Sequence, residues 1–276
     1  MGDPIFYPDR PYFMTFEGHE LRLLRTPGEG IPILMTAPWP QSIYAFHAVW
    51  KDIGGLGPII AVDLPGFGQS AHRADVMAPA PMGAFIVRLA AELGLERVHA
   101  VGPDVGTSAL LFAAAQAPNL FESIVIGSGG ASMDLLGQGL RGVIEAAPGS
   151  YGEAEGGAQV TGTIQRMTRN LPPAEAMEDF RQSSSARRWV EAADYVRAYP
   201  RDLPILRDLL PTIETPVLVV SGKNDPIVPP VNGDFLAAGL PKSRHIVLET
   251  GHFVWEDAPG DYAALVRSWI SGGYRV

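Results

Sequence analysis

The run Val98-His99-Ala100-Val101, then Gly102-Pro103-Asp104-Val105-Gly106, then an Ala/Leu-rich stretch to Gln116, leaves the chain few conformational choices. It reads as a buried strand, a turn too tight for large side chains, and a helix, with an acidic residue at the apex. Glycine stands two positions either side of that apex because the backbone reverses so sharply that side chains there would collide. The apex residue itself is pushed into a sparsely populated φ/ψ region. A side chain held in that way is displayed for chemistry. Elbows of this kind usually carry Ser, whereas here the apex is Asp104. A carboxylate nucleophile gives an alkyl ester where a serine gives an acyl ester, so the expected substrate is one attacked at saturated carbon.

Around the elbow, short apolar runs alternate with helical segments: Ile31–Thr36, a helix from about Ser42, Ile59–Val62, Ala80–Leu93, Val98–Val101, Thr107–Gln116 and Phe121–Ile126. Such alternation implies right-handed crossovers and a parallel sheet covered on both faces, an α/β fold. Tyr12–Thr15 and Glu20–Arg25 precede it as an antiparallel hairpin turning at Gly18. From Gly127 to about Glu214 the strand signal disappears, first into glycine-rich chain up to Gly157 and then into helices such as Pro173–Gln182 and Ser185–Arg197. The core resumes with the strand Pro216–Val220, the helix Pro230–Gly239, the strand Arg244–Leu248 and a closing helix Gly260–Ser271. The expected organisation is a core of residues 1–127 and 215–276 with a helical cap of residues 128–214 over the strand ends, where open α/β sheets place their sites.

Bulk properties narrow the class of partner. The chain of 276 residues carries 21 basic and 30 acidic side chains, and a net charge of −9 disfavours nucleic acid. Absence of cysteine excludes disulfides, thiolate metal sites and thiol nucleophiles, and fits a reducing compartment, so a cytoplasmic location is expected. The start Met1-Gly2-Asp3-Pro4-Ile5-Phe6 has neither a basic region nor a long apolar run, and no membrane association is expected.

A carboxylate attacking carbon needs only orientation, because its ordinary pKa of about 4 leaves it ionised at neutral pH. The ester it forms needs water, and water needs a base. His252, in Thr250-Gly251-His252-Phe253, lies beyond a predicted strand, and Asp225, in Ser221-Gly222-Lys223-Asn224-Asp225-Pro226, follows the strand before it. An imidazole requires such a carboxylate to fix its tautomer and stabilise its charged form. Alone, Asp104 would read as a helix N-cap, Asp225-Pro226 as a turn and His252 as a hydrogen-bonded structural residue. Together, in the order nucleophile, acid, histidine, each at the C-terminal end of a strand, they read as a triad.

Those residues, with Asp63-Leu64-Pro65-Gly66-Phe67-Gly68-Gln69-Ser70 and Gly251–Pro259, make the chain resemble an α/β-hydrolase over nearly its whole length. Within that superfamily Asp104 resembles the nucleophile of epoxide hydrolases and of haloalkane and haloacetate dehalogenases. The loop that in relatives reads His-Gly-x-Pro is here Ala37-Pro38-Trp39-Pro40. By resemblance, the backbone N–H groups of Trp39 and Val105 form an oxyanion hole, and the Trp39–Pro40 bond is cis. Haloalkane dehalogenases carry Trp after the nucleophile, where this chain has Val105, and haloacetate dehalogenases place an arginine beside it, which neither Val105 nor Ser108 supplies. Pro103 stands where relatives often have His.

The resemblance therefore implies an epoxide hydrolase acting on an apolar, bulky or aromatic natural-product-type epoxide. Haloalkane dehalogenation by the same triad is the alternative, and a non-catalytic small-molecule-binding homologue the second. Epoxide hydrolases are similar in using lid tyrosines as donors to the oxirane oxygen. The candidates are Tyr195 for the later one, and Tyr151 or the indole of Trp189 for the earlier, with Tyr199 read as a packing residue. His47 and His72 lack a second ligand at metal spacing, and His19, His99 and His245 fall in turns or strands. Neither metal nor cofactor is called for, and the partners expected are an apolar small molecule and water.

Overall fold

Along the central strands alternate residues go to opposite faces, and both faces are apolar. Leu34, Ile60, Ala100 and Ile124 belong to one buried cluster, while Ile33, Met35, Ala61, Val101 and Val125 belong to another. Such strands need helices above and below. The computed structural model describes residues 10–147, 150 and 155–275. In chain order they form β1 (Tyr12–Phe16), β2 (His19–Arg25), β3 (Ile33–Thr36), α1 (Trp50–Ile53), β4 (Ile59–Val62), α2 (Pro79–Glu92), β5 (Val98–Pro103), α3 (Val105–Gln116) and β6 (Phe121–Gly127). Five helices follow without a strand: α4 (Gln138–Glu145), α5 (Gly156–Met167), α6 (Ala174–Ser183), α7 (Arg188–Arg197) and α8 (Tyr199–Leu209). The sheet then resumes with β7 (Val217–Gly222), α9 (Val231–Gly239), β8 (Ser243–Leu248), α10 (Val254–Asp257) and α11 (Pro259–Ser268).

The eight strands lie in the order β1-β2-β4-β3-β5-β6-β7-β8. β1 and β2 pair antiparallel, as does β2 with β4, and every other pair is parallel. From β3 the chain moves to β4 on one side and then to β5 on the other. The crevice at the C-terminal ends of β3 and β5 is thus the switch point at which open α/β sheets hold ligands. Ile33 pairs with His99 and Met35 with Val101, so the loops leaving these two strands emerge side by side. Those loops carry Trp39 and Asp104.

The expected helix from Ser42 is instead a short 3-10 turn, Ile43–Phe46, followed by the one-turn α1. The closing helix ends at Ser268 and continues as a π-turn, Trp269–Gly273. The glycine-rich front of the inserted segment contains α4 and the start of α5, which local propensity disfavours; burial of Leu140, Ile144, Val160 and Ile164 outweighs the glycines. Among the described residues no helix is long and apolar enough to cross a membrane.

Candidate active site

Asp104 occupies the junction of β5 and α3 at φ 57°, ψ −121°. Its neighbours explain the glycines: a Cβ on Gly102 would meet Thr36 Oγ1 at 2.5 Å, and one on Gly106 would meet the same atom at 2.3 Å. Only bare backbone lets the elbow close against the end of β3. The Asp104 N–H donates to the Gly127 carbonyl at 2.8 Å, which fixes the apex to β6.

The Asp104 carboxylate is used asymmetrically. Oδ2 accepts the Trp39 N–H at 2.7 Å, and the Val105 N–H also donates to the carboxylate. The Trp39–Pro40 peptide is cis. Oδ1 faces Nε2 of His252 at 3.8 Å. Burial pushes the Asp104 carboxyl up to about 6, against the opposing pull of His252 and the two N–H groups.

His252 leaves the loop after β8, and its Nδ1 lies 2.7 Å from Asp225 Oδ2. The other Asp225 oxygen accepts the N–H groups of Ile227 and Val228 at 2.8 and 2.9 Å. With both oxygens accepting, Nδ1 carries the hydrogen and Nε2 presents its lone pair toward Asp104. Burial alone would lower the imidazole's proton affinity, but Asp225, through charge and hydrogen bond, and then Asp104 outweigh it and hold the pKa above the ordinary value. The three side chains that the sequence separates are thus brought together and buried.

A cavity of about 230 Å³ opens over this group, lined by Asp104, Trp39, His252 and residues of α4, α5, α7 and α8. Its walls are mostly apolar, including Leu140, Val143, Val160, Val196 and Phe253. Trp189 lines it, with its ring centroid 5.7 Å from that of Trp39. Tyr195 does not. It is fully buried below the cavity, donates its hydroxyl hydrogen to the Val105 carbonyl at 2.9 Å, and lies 2.9 Å from Ser108 Oγ. Its single hydrogen is committed, so the expectation that it faces the substrate is corrected to one of holding the first turn of α3.

Among the described residues the phenol that lines the cavity is Tyr199, which the sequence assigned to packing. Burial, together with the nearby Asp104 charge, raises its pKa against the opposing influence of the Ser108 hydroxyl. One signal was available: Tyr199 precedes Pro200, and proline in the first turn marks a helix start, so Tyr199 opens α8 instead of extending the face of α7. Gln159 and Thr163, one turn apart on α5, also reach the cavity and were missed. Tyr151 lies outside the described residues.

Three of the remaining histidines are held structurally. His47 pairs with Glu256 at 2.9 Å, and His99 lies 2.8 Å from Ser123 Oγ. His245 bridges Ser221 and Asp234, but Ser221 is buried and the ring sits tightly against Gly233 of α9. Among the described residues no group of three or more His, Asp or Glu side chains is placed to hold a metal ion.

Comparison with known proteins agrees with this architecture. A family model of the alpha/beta hydrolase fold matches residues 57–259. The chain is 29% identical over 221 residues to 2-hydroxy-6-oxononadienedioate/2-hydroxy-6-oxononatrienedioate hydrolase 2 of Pseudomonas putida, with 72% of each chain covered. It is 25% identical over 246 residues to pimeloyl-(acyl-carrier protein) methyl ester esterase of Neisseria meningitidis, covering 86% of this chain and 92% of the other. The solved epoxide hydrolase CorEH superposes with a TM-score of 0.78 at 16% identity, covering 95% of this chain and 98% of that one. With the family model matched over most of its length, the chain belongs to the α/β hydrolase fold family and is a hydrolase of that superfamily.

Proposed function

We propose that the protein is an epoxide hydrolase that opens an apolar epoxide through a covalent ester on Asp104, with residues 128–214 serving as its cap. The observation that carries this reading is the asymmetry of one carboxylate at the cavity wall: Oδ2 is held by the Trp39 N–H at 2.7 Å while Oδ1 faces His252. A serine hydroxyl has one oxygen and no such division.

In the first step Oδ1 attacks an oxirane carbon, the C–O bond breaks, and its electron pair goes to the ring oxygen. Tyr199, the phenol at the cavity wall, donates its proton to that oxygen. Trp189 is the second candidate donor, through its indole N–H. In the second step His252 Nε2 takes a proton from water, and the hydroxide attacks the ester carbonyl carbon. Negative charge develops on Oδ2, already facing the Trp39 N–H, with the Val105 N–H also directed at the carboxyl group. Collapse expels the diol oxygen, which takes the proton held by the imidazolium, and the carboxylic acid left on Asp104 returns its proton to the Tyr199 phenolate; Asp225 stabilises the imidazolium in between. Apolar walls over a buried triad favour a hydrophobic substrate and suit this water-poor chemistry.

The test is a single turnover in oxygen-18 water with a panel of aryl and alkyl epoxides. The first diol should carry unlabelled oxygen from Asp104; immediate label in that diol removes the covalent step. Halide release from haloalkanes, assayed in parallel and exceeding diol formation, would assign the same triad to dehalogenation instead.

A further inference from the structure

Arg22, on β2, is buried and faces two carboxylates. One is Asp63 of the core, 3.4 Å from Nη1. The other comes from the inserted segment: Asp179 of α6 takes a two-pronged contact, Oδ1 from Nη1 at 3.0 Å and Oδ2 from Nη2 at 2.8 Å. Asp179 accepts two further hydrogen bonds from the core, Ser42 Oγ–H to Oδ1 at 2.5 Å and the Gln69 side-chain amide to Oδ2 at 2.8 Å. One carboxylate carried by the insert thus collects four hydrogen bonds from three core residues.

Where those bonds lead gives them meaning. Ser42 ends the loop that starts at Ala37 and carries the Trp39 N–H, and the next residue, Ile43, donates its N–H to Asp63 at 2.8 Å. On the same loop the Pro40 carbonyl accepts from Ser184 Oγ, just beyond α6, at 3.4 Å. The opposite side is held by the core, where Gln41 donates to Glu256 and accepts from the Trp255 indole, each at 2.8 Å. The loop is therefore clamped between α6 and α10, and the α6 side of the clamp is a buried charge.

We propose that Asp179 is a positioning residue for the oxyanion hole: acting through Ser42, it sets where the Trp39 N–H points at Asp104. The inference rests on the Trp39 role proposed above, yet has a consequence that needs no substrate. Buried charge-assisted bonds resist displacement more than neutral ones, so the loop takes its register from α6. It also predicts which chemical step suffers. Before alkylation the Trp39 N–H stabilises the charged carboxylate, so weakening that bond does not slow attack by Oδ1. In ester hydrolysis charge returns to Oδ2, and a misaligned N–H slows that step selectively.

The experiment uses the full-length protein with 15N-labelled tryptophan, whose five residues give a simple spectrum. The Trp39 backbone amide is assigned with Trp39→Phe, then followed in Ser42→Ala, which keeps the Arg22–Asp179 pair but removes its link to the loop along with the Ser42 cap on the Tyr44 N–H, and in Asp179→Asn, which leaves that cap in place. Trp39 should shift upfield and exchange with solvent about tenfold faster in both, while the other tryptophan amides and the Arg181→Ala control stay as in wild type. In single turnovers with an epoxide, ester hydrolysis should slow roughly tenfold more than ester formation. An unmoved Trp39 amide in Ser42→Ala, or all five amides moving together, overturns the proposal, as does equal slowing of both steps. A responsive Trp39 amide in a protein that forms no ester with any epoxide supports the positioning role and sinks the epoxide reading alone.

Discussion

Nε2 of His252 stands 3.8 Å from Oδ1 of Asp104, too far for a hydrogen bond and near enough for each to feel the other's charge. In the resting site the Asp104 charge helps hold the imidazole pKa above its ordinary value. In the mechanism proposed above, esterification of Asp104 removes that charge and lowers the proton affinity of His252 at the moment a base is needed. The proposed covalent step would thereby prepare the base for the hydrolytic one.

This coupling sets a pH dependence. Asp104 must be ionised to attack, and burial has brought its carboxyl up to about 6, so ester formation should decline below pH about 6 and not near 4. His252 must be neutral to accept a proton; Asp225 raises its pKa, loss of the Asp104 charge in the ester takes part of that rise away, and hydrolysis declines as falling pH protonates the imidazole. Quenched single turnovers across pH 5–9 should show ester accumulating toward the acidic side. Identical pH dependence of the two steps would contradict the assignment.

Replacing His252 by Gln removes the base and leaves the nucleophile. Multiple turnover should fall by about 10²–10⁴-fold while the first alkylation survives. Intact-mass spectrometry should then find the protein heavier by one substrate. Asp225→Asn should produce a weaker version of the same accumulation, because the imidazole keeps its place but loses its charged partner at 2.7 Å.

The two phenols of α7 and α8 separate cleanly. Tyr199→Phe removes the hydroxyl at the cavity wall and should slow ester formation by about 10²-fold or more, with little change in unfolding. Tyr195→Phe leaves the Val105 carbonyl and Ser108 without their buried partner, so it should cost about 1–3 kcal/mol of stability, read in urea denaturation. Its effect on chemistry should be the smaller of the two.

A buried carboxylate with a raised pKa burdens the fold wherever it is ionised. The unfolded chain loses the Asp104 proton near pH 4 and the native protein near 6, so between these values stability falls as pH rises. Asp104→Asn should therefore be more stable than wild type at pH 8, by about 1–3 kcal/mol, with the difference closing as the pH drops from 6 toward 4. Denaturation at pH 8 and at the acidic end reads this directly. A variant less stable than wild type at pH 8 would show that ionised Asp104 is compensated in the native state.

What could be read from the chain, and what could not, follows from where information is local. The parallel strands were legible because burial on both faces writes an unbroken apolar run, as in Ile59–Val62. Asp104, Asp225 and His252 were legible because each follows such a strand. α5 was not, since its opening glycines exist for distant neighbours: a Cβ on Gly156 would meet the Ser184 carbonyl at 2.3 Å. Nor was Asp179, which shares α6 with Glu175 and Glu178; nothing nearby in sequence says that only the aspartate turns inward to Arg22. Tyr195 and Tyr199 were exchanged because a helix break at Ala198 rotates one phenol out of the wall and the other into it.

The contact between α6 and Arg22 also bears on how such proteins can be recombined. A transplanted insert lacking an acid at this point would leave the guanidinium facing Asp63 alone, with Ser42 and Gln69 robbed of a buried acceptor. Chimeras that trade substrate range by swapping the helical segment should succeed when the donor brings its own anchor, and otherwise inherit a recognition surface without a working hydrolytic step. On the proposed reading, one positioning residue for ester cleavage travels with the segment that covers the cavity.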